Sequence, residues 1–239
     1  MEKLTYLIWS KPTGDRNQLQ RQLLGEVGPA LLEHGAGRLT IDVDDADSDV
    51  PLPMPWPEGE TPLAAVVSFW LQCHDFRGPC EELLAGVGER QAGYLVTESI
   101  YREYGDNRWG RPRDWPDGQR SPGLVMVTLL EQPARLTYEQ WIEHWYGTQS
   151  PLSEAMQPRM RYVRNAVARP LTVDAPPYKG IVEECWPSPA HLTDPMTFYG
   201  ASSKQELQAN MLRMIESVQG FLDFDRIRSM TMSEYLVSS

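Results

Sequence analysis

Apolar residues fall along the chain in short, dense runs separated by polar, proline-containing stretches. Leu4-Thr5-Tyr6-Leu7-Ile8-Trp9 is one such run, and Leu124-Val125-Met126-Val127-Thr128-Leu129 is another about 120 positions later. Both are rich in β-formers and read as strands. Each is followed by a proline, Pro12 and Pro133, then by a helix-start spacing: Asp15 with Gln18, Thr137 with Gln140. That spacing suits a capping box, in which a side-chain oxygen takes an orphan N–H and an amide reaches back. Each helix then meets a proline, Pro29 and Pro151. Matched landmarks over a whole strand–helix unit predict an internal duplication.

The remaining pattern fills in both halves. In the first, strands are expected near Arg38–Val43, over Ala64–Leu71 and near Tyr94–Tyr101. A Pro-rich excursion runs over 51–62, and a short helix covers Cys80–Gly86. In the second, strands are expected over Arg159–Ala168, Gly180–Trp186 and Arg226–Val237. A helix spans Lys204–Gln219, with Ser203 and Glu206 as its capping box and Gly220 placed to end it. Its residues Leu207, Met211, Met214, Ile215 and Val218 form one stripe expected to be buried. The predicted class is α+β: two tandem ferredoxin-like βαββαβ units in a dimeric-α/β-barrel-type arrangement, each sheet covering the other's open face. The expected boundaries are 1–104 for a degenerate first unit, 105–122 for an Arg/Trp-rich strap anchored by its tryptophans, and 123–239 for the second unit.

Composition narrows the partners. With 22 basic against 33 acidic residues the net charge is −11, which repels phosphate backbones and argues against nucleic acid. No apolar run approaches the roughly 20 residues that span a bilayer, and the N-terminus shows no signal-peptide core, so no membrane partner and a cytoplasmic location are expected. Cys73, Cys80 and Cys185 make no disulfide framework and read as buried thiols. A zinc site from Cys73-His74 and Cys80 lacks a fourth ligand. The acidic run 42–49 lacks the glycine and closing glutamate of a calcium loop and reads as a solvated loop. No phosphate-binding loop, dinucleotide fingerprint or nucleophile elbow is present. No cofactor and no metal is expected. His34, His74 and His191 fall in turns or at helix ends.

The second-half helix has the informative face. Tyr138, Trp141, Ile142 and Trp145 follow i, i+3, i+4, i+7. At about 100° per residue Gln149 continues that stripe, and His144 lies roughly 110° from its centre. The stretch Tyr138–Leu152, with Trp145 and the closing Pro151-Leu152, resembles the signature helix of EthD-like dimeric α/β-barrel proteins. Gln149 stands where that family carries histidine, and Val27 where the first half would carry it. The resemblance implies a cavity between sheet and helices of the second half, holding a small apolar or aromatic molecule. An amide orients but does not exchange protons near neutral pH. Proton transfer would therefore fall to other groups.

The candidate catalytic residues are Gln149, Tyr146, His144 and Glu183. The candidate substrate-binding residues are Trp145, Trp141, Tyr162, Trp186 and Tyr199. Alternation requires Glu183 and Glu184 to face opposite sides of the sheet, without saying which faces which. Expected activities are a cofactor-independent lyase, cyclase or isomerase reaction on a small-molecule substrate. The alternatives are a non-catalytic ligand-binding or assembly protein and, third, a haem protein resembling the chlorite dismutase group. A homo-oligomer is compatible with each.

Overall fold

The computed structural model describes residues 1–11, 15–51 and 56–239. Pro12 and positions 52–55 of the 51–62 excursion lie outside the described residues. Eight strands close one antiparallel barrel: β1 (Glu2–Trp9), β2 (Gly37–Val43), β3 (Leu63–Leu71), β4 (Arg90–Arg102), β5 (Leu124–Glu131), β6 (Arg161–Pro170), β7 (Tyr178–Trp186) and β8 (Arg228–Leu236). Around the barrel the order is β1-β3-β2-β8-β5-β7-β6-β4, with β4 pairing β1 to close it. The class is α+β, and closure leaves no sheet edge unpaired.

The helices of the first half are α1 (Gln18–Gln22), α2 (Gly28–Glu33) and α3 (Gly78–Ala85). Those of the second are α4 (Tyr138–His144), α5 (Ser150–Met156), α6 (Ala190–Thr193), α7 (Pro195–Phe198) and α8 (Lys204–Phe221). Each half thus runs β-α-β-β-α-β. A π-turn breaks the first helical segment of each half at the same offset, Leu23–Val27 and Trp145–Gln149, and Gly28-Pro29 or Ser150-Pro151 follows directly. Strand register matches as well: Thr5 pairs Ser68 in the first half as Val127 pairs Glu183 in the second.

Period-two alternation assigns the faces. Leu7, Val66, Val127, Leu129 and Ile181 point into the barrel. Tyr6, Ile41 and Phe69 face the first-half helices, and Leu130, Tyr162 and Val182 face those of the second half.

Several sequence expectations are corrected. The Thr137 capping box is complete. Asp15, by contrast, accepts from the Asn17 backbone N–H and pairs with Arg21, and the helix begins at Gln18 with Asn17 at its N-cap. Ser203 caps α8, but the Glu206 carboxylate reaches Ser202 instead. Gly220 does not end α8. It lies within the helix, where a Cβ would stand 2.3 Å from the His144 ring. Of the supposed buried stripe only Met214 is buried; Met211 and Ile215 are exposed. Trp115 anchors the strap edge-on to Tyr104 inside the barrel, whereas Trp109 is exposed beneath Arg108. Cys80 and Cys185 are buried, but Cys73 is only half-buried. The acidic run is ordered: Asp42 is buried on β2, and Asp45 accepts from Ser233 and Tyr235.

Candidate functional site

Because α8 stands off the sheet, a cavity of about 680 Å³ opens between β5, β7, the α4–α5 segment and α6–α8. That is within the usual range for small-molecule sites. Its walls differ in character. On α8, Met211, Met214, Ile215 and Val218 present an apolar wall, continued by Leu130 and Val182 from the sheet. Opposite, Gln149 and Ser153, one helical turn apart at the start of α5, and Gln157, in extended backbone just past its end, make a polar stripe.

Gln149 is placed by the π-turn. Its Nε2 sits 3.2 Å from Met214 Sδ, and its Oε1 is buried with no hydrogen-bond partner. A thioether only accepts, so the N–H is directed at sulfur and the carbonyl oxygen is left without a partner.

Glu184 also lines the cavity. Its carboxylate pairs with Arg159, whose wholly buried side chain donates to Ser153 Oγ at 3.1 Å and to Glu154 at 3.2 Å. The Arg159 guanidinium lies 4.0 Å over the Tyr162 ring. Tyr162 bonds Ser150 Oγ at 3.0 Å, and Ser150 already donates to the Trp145 carbonyl and accepts from Arg164. The phenol must therefore be the donor to Ser150, and its oxygen in turn takes a hydrogen bond from the Trp145 side chain. Burial raises its pKa, and Tyr199 on the cavity rim is raised for the same reason, so both phenols are protonated at neutral pH.

The structure therefore brings together Gln149, Trp145, Tyr162 and Tyr199, and leaves other candidates elsewhere. Glu183 is corrected to the barrel interior, accepting from Asn165 at 2.9 Å between Lys3 and Arg161, each 3.8 Å away. Glu184 takes the cavity position, because the helices cover the face bearing Val182 and Trp186. His144 is corrected to a packing position, stacked on Phe221 and seated against Gly220. Tyr146 lies under Arg164, 3.8 Å from its guanidinium. Trp141 and Trp186 stand behind the wall, packed on Trp145 and on Phe198. Sequence reading left Glu184 open against Glu183, and it did not name Ser153 and Gln157 as lining groups. The i+4 spacing from Gln149 was the available signal for the latter two.

In the first half the matching positions are filled. Leu23 stands for Trp145, Val27 for Gln149, Tyr6 for Thr128 and Phe69 for Glu184. Tyr6 and Phe69 stack at 5.6 Å within an apolar cluster that includes Leu23, Val27 and Leu31.

No family model matches the chain, and no curated protein matches it. Solved structures do. The crystal structure of an anthrone oxidase-like protein aligns with a TM-score of 0.57 at 10% identity, covering 100% of this chain and 94% of that one. A mutant chlorite dismutase from Candidatus Nitrospira defluvii gives 0.48 at 7% identity, covering 99% and 92%. A dye-decolorizing peroxidase from Bacteroides thetaiotaomicron gives 0.45 at 8%, covering 99% and 93%. The chain has the dimeric α/β-barrel fold. At such identities the likeness carries architecture and no activity. Among the described residues no histidine lines the cavity, so it lacks the imidazole ligand expected of a haem site, and no helix is long and apolar enough to cross a membrane.

Proposed function

We propose that this chain is a tandem EthD-like protein, two ferredoxin-like units over 1–104 and 123–239 joined by the strap 105–122, that binds a small aromatic molecule in the second-half cavity. The observation that carries this reading is the two-sided cavity: an apolar α8 wall facing the Gln149–Ser153–Gln157 stripe and Glu184. A flat apolar ligand with one polar edge fits such a space. On the polar side the Gln149 Oε1, which has no partner, and the Glu184 carboxylate are acceptors. The ligand edge should therefore carry O–H or N–H donors, not a carboxylate. The anthrone oxidase-like structural neighbour makes a tricyclic phenol a reasonable probe.

In a catalytic version Gln149 orients the substrate, Trp145, Tyr162 and Tyr199 pack against it, and Glu184 takes a proton from the bound hydroxyl or an adjacent carbon, giving lyase, cyclase or isomerase chemistry without a cofactor. Glu184 supports this role because it is the carboxylate lining the cavity and Arg159 orients it. Titrating the protein with hydroxyanthrone, its methyl ether and a matching carboxylate, read by tryptophan fluorescence, tests the binding claim. The phenol should bind at least about tenfold more tightly than either analogue, a difference of about 1.4 kcal/mol. Met214→Trp, which fills the cavity, should abolish binding. Equal affinities, or binding that survives Met214→Trp, would refute the assignment. Turnover lost in Glu184→Gln with binding retained would mark an enzyme. Absence of turnover in the wild type with any bound phenol would favour the non-catalytic binding protein.

A further inference from the structure

At the barrel end where β1 begins and β3 finishes, three potential metal ligands converge. The β1–β3 register pairs Glu2 with Leu71, which puts the Glu2 carboxylate beside the turn Cys73-His74. The placement is tied twice: Glu2 Oε2 accepts the His74 backbone N–H at 2.7 Å and lies 2.8 Å from His74 Nδ1. The ligand atoms of Glu2, Cys73 and His74 all lie within 4.8 Å of one another. Asp75, highly exposed, follows in the same turn, with Oδ2 3.6 Å from Cys73 Sγ and Oδ1 3.5 Å from His74 Nε2. The second half contributes Arg169 of β6, which donates to His74 Nε2 at 2.5 Å.

We propose that Glu2, Cys73 and His74 form a binding site for a borderline-soft divalent cation of the zinc type, distinct from the second-half cavity. One thiolate, one imidazole and one carboxylate are the donors such an ion selects over the oxygen-only sets of magnesium and calcium. Bond lengths of about 2.0–2.3 Å require donors about 3.5 Å apart, which small side-chain rotations from the present spacing reach. The fourth position is open to water or to Asp75.

Charge and protons balance. Coordination expels the Cys73 thiol proton to solvent, and the two anionic ligands cancel the cation's charge. The imidazole stays neutral: its proton moves from Nδ1, which the ion takes, to Nε2. That transfer removes the acceptor Arg169 now uses and leaves Asp75 Oδ1 to receive the new N–H. The ion would therefore bind most easily where Arg169 does not hold the competing tautomer.

Cobalt(II) titration of the full chain tests this. The expected result is one equivalent bound, with a thiolate-to-cobalt charge-transfer band and visible bands of four-coordinate intensity, both erased by zinc. Cys73→Ser should abolish the charge-transfer band, and Glu2→Gln or His74→Ala should weaken binding at least about tenfold. Arg169→Met should tighten it several-fold, a gain that a merely structural contact would not give. Circular dichroism of each variant keeps loss of fold apart from loss of ligand. No charge-transfer band in the wild type would overturn the proposal. So would a band that persists in Cys73→Ser, which would move the ion to another thiol, or an Arg169→Met variant that binds more weakly.

Discussion

Asp42 carries a carboxyl into a barrel interior already short of cations. Lys3 and Arg161 serve Glu98, Glu183 and Glu234 there, and Asp42 Oδ1 has no hydrogen-bond partner. Burial first, then Glu183 and Glu234, push its pKa well up. A carboxyl raised in the folded state favours folding while both states are protonated. It withdraws that stability as pH climbs from about 4, the unfolded value, toward the folded one. Asp42→Asn should therefore raise stability at pH 7 by about 1 kcal/mol or more, with the gain shrinking toward pH 4, measured by urea unfolding across that range. A gain independent of pH would contradict the titration account. Single positions were unevenly legible. Alternation required Glu183 and Glu184 to part, but naming the one in the cavity needs the side the helices cover, which lies outside the strand's own sequence. Gln149 emerged from helical arithmetic because a polar residue in an apolar stripe is visible in one dimension.

Helix α8 shows where pattern and packing diverge. Its stripe of Leu207, Met211, Met214, Ile215 and Val218 has the spacing of a core-facing helix, yet Met211 and Ile215 remain exposed because the stripe lines a cavity. Hydrophobic spacing records which side of a helix is apolar, not how far it stands from the sheet. The glycine near its end misled for a related reason. Gly220 serves not as a stop but as a seat for the His144 ring. Gly220→Ala should therefore destabilise the protein by about 1–3 kcal/mol through overpacking, despite alanine's better helix propensity. His144→Ala should relieve much of that loss in the double variant, so thermal melts of the four proteins in the cycle decide the matter. The π-turns were not legible either, since nothing in local composition marks an extra residue in a helical turn.

At the scale of the molecule, the α+β barrel-type arrangement was readable from landmarks about 120 positions apart, while closure within one chain was not, because it depends on pairings of distant strands. β2 joins β8 and β4 joins β6, and Lys3 of the first half holds Asn165 of the second at 2.9 Å. The two halves should unfold in a single transition, with fluorescence and circular dichroism coincident. Lys3→Met, which strips Glu98 of its bonded cation and leaves Glu183 only Arg161, should cost about 3–5 kcal/mol. Two separate transitions would argue that each half keeps its own core. The residue-for-residue correspondence between halves has one more consequence. Tyr6, Val27 and Phe69 occupy the places of Thr128, Gln149 and Glu184, so the filled half works as a cast of the open one. Trimming those three side chains toward their counterparts outlines a route by which a chain with one chamber could acquire a second.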